Sequence, residues 1–154
     1  MAGAGWKTPY VDEDLPPDVI AYRAVNPREV EWDHLDIRGV PRMQSRVFQS
    51  QTPGAALERG YPAPAMSVAL SHVLADQGES FERVLDGRDD SYGIAAITVA
   101  AIRRVSPPLG IQVAPEMDAP WHAIVFNPAN LKISKPQRLG MRDAAELIRT
   151  PRRI

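Results

Sequence analysis

The 154-residue sequence contains no cysteine. Disulfides, a thiolate nucleophile, Cys-ligated zinc and iron–sulfur clusters are therefore excluded, because each needs sulfur from the protein. The same absence fits a reducing cytoplasm, the expected location. No apolar run approaches the roughly 20 residues of a membrane span, and Met1 to Lys7 lacks the charged start and apolar stretch of a secretion signal. Gly-rich loops with phosphate-cradling spacing do not occur, since Gly3-Ala4-Gly5 precedes neither a strand nor a helix. No serine has the flanking glycines of a strained nucleophile elbow. The three histidines, His34, His72 and His122, are far apart and none has a second histidine or a carboxylate at zinc-motif spacing. No metal is expected.

Proline is abundant by contrast. The 15 prolines are roughly double the usual share of about 5%. They cluster at Pro16-Pro17, Pro62 and Pro64, Pro107-Pro108, Pro115, Pro120 and Pro128. Each removes an amide donor and fixes φ, so the clusters cut the chain into short elements and disfavour long helices before residue 134. A chain of this length suits one domain, which buries roughly 68 to 70% of the surface its unfolded form exposes. The expected organisation is an N-terminal arm over 1–14, carrying Trp6 and Tyr10, and a single domain over 15–154. The expected class is α+β: a mixed or antiparallel sheet of short strands, short helices and an amphipathic C-terminal helix.

Strands are predicted over 19–25, 43–49, 65–70, 92–97, 111–114 and 121–126, all dense in apolar or β-preferring residues. Short helices are predicted over 71–76, 79–85 and 99–104, the last capped by Thr98. Residues 27–40 read as a helical turn or an irregular connection, and Thr52-Pro53-Gly54 as a loop. The clearest element is a helix from Lys135 to about Arg149. Ser134 and Gln137 have the spacing of a capping box, Pro136 lies in the first turn, and Met141, Ala144, Ala145 and Ile148 form one stripe. Gly140 weakens that helix by about 1 kcal/mol relative to alanine and suggests a close neighbouring backbone.

Three polar residues stand inside apolar strand segments: Arg23 in 19–25, Ser67 in 65–70 and His122 in 121–126. A buried polar or charged group costs several kcal/mol unless it is paired, so each needs a partner or a purpose. Without a purpose, Arg23 would pair with an acid such as Asp18 or Glu29, and His122 would bond one nitrogen to a neighbouring carbonyl. If their strands are adjacent, the three build a site.

Charge is uneven. Residues 12–36 hold eight acids against two bases, a net of −6, and residues 132–154 hold seven bases against two acids, a net of +5. Arg138, Arg142 and Arg149 line one side of the expected C-terminal helix and are candidates for contact with an acidic surface. Sequence-specific nucleic-acid binding is disfavoured: Arg38, Arg42 and Arg46 recur every four residues, but the basic C-terminal stretch has no aromatic residue to stack on a base, and the total charge is only −1. The leading expectation is a domain that binds a macromolecular partner, most naturally a protein, without a catalytic site of its own.

A second expectation comes from a different class. Tyr22-Arg23 and Phe48-Gln49-Ser50-Gln51-Thr52 resemble the first strand and the Phe-x-Ser-x-Ser/Thr strand of ADP-ribosyltransferases of the arginine–serine–glutamate class. The resemblance covers about a third of the chain. It implies that Arg23 holds a phosphate of NAD, that Ser50 supports the ribose pocket and that Glu116 polarises a ribose hydroxyl. The chain departs from that pattern in having no glycine after Arg23, Thr52 in place of the commoner serine, and Glu116 inside Pro-Glu-Met-Asp.

Overall fold

The computed structural model describes residues 9–153. Its centre is a six-stranded antiparallel sheet in the order β6-β7-β4-β1-β5-β8. The strands are β1 (Ile20–Val25), β4 (Ala65–Leu70), β5 (Gly93–Thr98), β6 (Gly110–Val113), β7 (His122–Phe126) and β8 (Glu146–Arg149). A separate two-stranded ribbon pairs β2 (Val30–Leu35) with β3 (Pro41–Met43). Four short helices complete the α+β fold: α1 (Pro53–Glu58), α2 (Ser71–Asp76), α3 (Val99–Arg104) and α4 (Lys135–Ala144). None is long and apolar enough to cross a membrane.

Period-two alternation assigns the faces of the sheet. Ala21 and Val25 of β1, Met66, Val68 and Leu70 of β4, Ala95 and Ile97 of β5, and Ala123 and Val125 of β7 all enter one large core. Val47 and Phe48, Val99 and Ile102 of α3, and Met141 of α4 cover it. The opposite face carries two smaller clusters. Ala65, Ile124 and Phe126 pack with Tyr10 and Tyr61 at one end, and Ala69, Leu74 and Trp121 pack with Tyr22 and Val84 at the other. Ser67, between Ala65 and Ala69 on that face of β4, lies in the seam between them.

Several elements differ from the sequence expectations, each for a local reason. Residues 45–48 form a 3-10 helix and not a strand; Val47 and Phe48 are consecutive and both buried, which alternation in a strand facing one core forbids. Residues 27–40 contain a 3-10 turn over Pro27–Glu29, capped by Asn26, followed by β2. Thr52-Pro53 opens α1: the Thr52 hydroxyl accepts from the Ala55 amide, and Pro53 occupies the first turn where no amide is required. The C-terminal helix stops at Ala144, because Ala145 turns to an extended conformation and 146–149 pairs along β5. Its start follows the expected capping box of Ser134 and Gln137. Gly140 faces the Val105 side chain and not a backbone: a Cβ there would lie 3.0 Å from Val105 Cγ1.

Part of the N-terminal arm lies along the outer edge of β6; Trp6 and the rest of 1–8 lie outside the described residues. Glu13 N–H donates to the Ile111 carbonyl at 2.9 Å. The Asp12 and Glu13 carboxylates accept from the outward amides of Ile111 (3.0 Å) and Val113 (2.6 Å). Arg103 of α3 holds Asp12 at 2.7 Å. The Tyr10 ring stacks on Phe126 at 4.6 Å, its hydroxyl donates to the Ala63 carbonyl, and burial pushes its pKa up to about 12. The acidic residues at positions 12 and 13 thus close a sheet edge that would otherwise present free donors to another chain. Replacing both by alanine is expected to reduce stability by about 1–3 kcal/mol in urea unfolding and to produce concentration-dependent self-association in gel filtration; a variant as stable and monodisperse as the parent would contradict the edge-capping role.

Candidate functional site

The seam on the second face of the sheet opens into a cleft of about 520 Å³. Its floor is the central part of β1, β4 and β7, which lie side by side in the order β7-β4-β1. Ser67 and His122 rise into it from that face, and Arg23, in phase with Ala21 and Val25 of the main-core face, borders it where β1 and β4 stop pairing. Walls come from the loops around Asn26, Arg59, Arg83–Arg88, Tyr92 and Glu116–Trp121.

Ser67 pairs in register with Ile124, and Ala69 with His122. Ser67 and His122 are therefore diagonal neighbours on the same face, a separation that two side chains can close. His122 Nε2 lies 3.0 Å from Ser67 Oγ, and Nδ1 lies 2.8 Å from the Ala114 carbonyl oxygen. A carbonyl oxygen only accepts, so in the neutral imidazole Nδ1 carries the proton and Nε2 is left as an acceptor for the Ser67 hydroxyl. Ala114 is placed by β6, and its own amide donates back to the His122 carbonyl at 3.0 Å. His122 is 8% exposed, which limits the orientations open to the ring. The pair has the connectivity of a serine activated by a histidine that a third group orients.

Arg23 is placed differently. The ladder between β1 and β4 pairs only Ala21–Leu70 and Tyr22–Ala69 and stops beyond Tyr22. The Arg23 guanidinium occupies the opening. Nη1 donates to the Ser67 carbonyl at 2.7 Å, Nη2 to the Gln49 carbonyl at 3.2 Å, and Nε to the Val47 carbonyl. Backbone carbonyls, and not Asp18 or Glu29, are thus its partners. Glu29 favours the arginine's charge from nearby, but its Oε1 accepts from the Asn26 amide. Burial lowers the Arg23 pKa to about 10, and the group stays charged at neutral pH.

Four guanidinium groups and four carboxylates line the cleft, and they are unequally matched. Arg59 pairs with Glu116 at 3.0 Å from one wall to the other. Both are about half exposed, so the pair contributes at most about 1 kcal/mol. Arg83 lies between Glu79 (3.6 Å) and Asp86 (3.3 Å), with its guanidinium 5.1 Å from the Trp121 ring centroid. Arg88 lies over Tyr92 at 5.8 Å.

The other candidates lie elsewhere. Ser50 is buried outside the cleft, its hydroxyl accepting from the Ile133 amide at 3.2 Å. Glu116 lines the same cleft as Arg23. Arg138 donates to the Ile133 carbonyl, Arg142 is paired with Asp143, and Arg149 is on β8, 3.1 Å from Glu82; a strand at 146–149 means that these three do not share one helical side. Arg38 and Arg42 pair with Asp36 and Glu31. Among the described residues no group of three histidines or acids is placed to hold a metal ion. Arg59, Arg83, Arg88 and Trp121 also line the cleft, and no spacing in the sequence links them to one another.

Replacing Arg23 by alanine removes its donation to three carbonyls and is expected to destabilise the protein by about 3 kcal/mol in urea unfolding. Arg23→Lys should recover only part of this, because an ammonium lacks the planar fork. A loss below about 1 kcal/mol for the alanine variant would show that the strand opening does not depend on the guanidinium.

No protein-family model matches the chain, and neither does any curated protein or solved structure.

Proposed function

We propose that the protein is an enzyme of the nucleophilic-serine type, with Ser67 attacking a small acyl ester in the cleft and His122 as its base. The observation that carries this reading is the pair of contacts at His122, Nε2 to Ser67 Oγ and Nδ1 to the Ala114 carbonyl, at the floor of an open, arginine-lined cleft. As the Oγ–C bond forms, the hydroxyl proton passes to Nε2, and the substrate carbonyl becomes an oxyanion. Collapse of that intermediate breaks the bond to the leaving alcohol, which departs with the proton from Nε2. Water then attacks the acyl-serine by the same proton route, releasing the acid and restoring Ser67. The Arg23 guanidinium, hydrogen-bonded to the Ser67 carbonyl, places one positive charge near the developing oxyanion.

Two other readings have less support. Partner binding through Arg138, Arg142 and Arg149 is weakened by the acid and carbonyl contacts those side chains already make. NAD consumption is favoured by the common cleft of Arg23 and Glu116, but Ser50 is engaged with the Ile133 amide outside it.

Incubation with a fluorophosphonate or a sulfonyl fluoride, followed by peptide mass spectrometry, is expected to label Ser67. His122→Ala should slow labelling and the hydrolysis of a p-nitrophenyl ester by about 10²–10⁴-fold, and Ser67→Ala should abolish both. Labelling at other serines alone would remove the nucleophile assignment. Release of nicotinamide from NAD that is lost in Glu116→Gln, without labelling at Ser67, would transfer the cleft to the NAD-consuming reading.

A further inference from the structure

Among the described residues, two cations of the cleft have no carboxylate in ion-pair contact, and two of its acids, Glu29 and Asp118, have no cation. Arg59 and Arg83 have carboxylate partners, whereas Arg23 and Arg88 have none within ion-pair distance among the described residues. Both line the same cleft, where Glu29 favours the charge on Arg23 and Arg88 disfavours it to a lesser degree. Arg23 is held by three backbone carbonyls. Of its five N–H groups, one on Nη1 and one on Nη2 remain without a protein acceptor. Arg88 makes only a long contact to the Val84 carbonyl, 3.5 Å from Nη1, and lies over the Tyr92 ring. A guanidinium fixed in advance by carbonyls loses little freedom when it binds an anion, and a second, more mobile one can close on it.

We propose that Arg23 and Arg88 form a subsite for the phosphate group of a small-molecule substrate, beside the Ser67–His122 pair. As a statement about substrate it rests on the reading of that pair as the reactive centre. The choice of phosphate follows from charge and geometry. A phosphate monoester carries close to two negative charges at neutral pH and three acceptor oxygens, which matches two unpaired guanidinium groups. A carboxylate supplies one charge and satisfies one fork. The substrate class is therefore a phosphate-bearing acyl ester, with the phosphate remote from the bond that is broken.

The test is thermal unfolding in millimolar inorganic pyrophosphate, in acetate and in sodium chloride at equal ionic strength. Pyrophosphate at saturating concentration is expected to raise the midpoint by roughly 5 °C or more, with acetate no better than chloride. Arg88→Gln, an exposed position whose loss leaves no buried acceptor unpaired, should remove most of the rise. Arg104→Gln, an exposed arginine on α3 away from the cleft, should retain it. Equal shifts in pyrophosphate and chloride, or equal losses in the two variants, would overturn the subsite; an acetate shift as large as that of pyrophosphate would overturn the choice of phosphate. The result is independent of Ser67 labelling. A pyrophosphate effect without labelling removes the nucleophile and leaves the anion subsite, and labelling without a pyrophosphate effect does the reverse.

Discussion

The opening between β1 and β4 is the constraint around which the site is built. Two central strands whose ladder stops after two residue pairs leave backbone carbonyls without ladder donors, and such groups cost about 1–3 kcal/mol each when buried and unpaired. Arg23 resolves this with one planar group that reaches the Ser67 carbonyl and the chain at Val47 and Gln49. Because the wedge is a cation and not an apolar side chain, the repaired opening is also a charged one. Its position fixes the backbone of Ser67, and through β4 the diagonal relation of Ser67 to His122.

The two faces of the sheet divide the work. One face packs against α3, α4 and the 3-10 helix at Ser45–Phe48 to make the main core. The other is only partly covered, by two small aromatic clusters separated at Ser67. Trp121 belongs to one of these clusters, precedes His122 in β7, and carries Arg83 over its ring; the same residue thus supports a cleft wall and anchors the strand that presents the base. At the far edge, β6 positions the Ala114 carbonyl that orients His122, and the arm at Asp12 and Glu13 keeps that edge closed.

Much of this was legible in the sequence where the signal was local. Thr98 and Ser134 with Gln137 marked two helix starts, and the apolar runs around Arg23, Ser67 and His122 marked three strands whose polar residues demanded partners. The identities of those partners were not legible, because strand order decides them: nothing in 19–25 says that Arg23 faces the carbonyls of 47, 49 and 67. The end of α4 is not legible because Ile148 fits a helical stripe, whereas the free edge of β5 takes Glu146–Arg149 as a strand and Pro151 packs where Gly93 has no side chain, a Cβ there falling 2.6 Å from Pro151 Cδ. The arginines of the cleft walls come from separate loops and share no spacing.

Catalysis in this site depends on His122 presenting an unprotonated Nε2 to Ser67 while Nδ1–H is fixed on the Ala114 carbonyl. Two-bond proton–nitrogen correlation spectra of the ¹⁵N-labelled imidazole, taken where the ring is neutral, measure this directly. The Nδ1–H tautomer is expected, with the Nε2 resonance moving in Ser67→Ala while Nδ1 remains protonated. A proton on Nε2 would make His122 a donor to Ser67 and would contradict its role as a base.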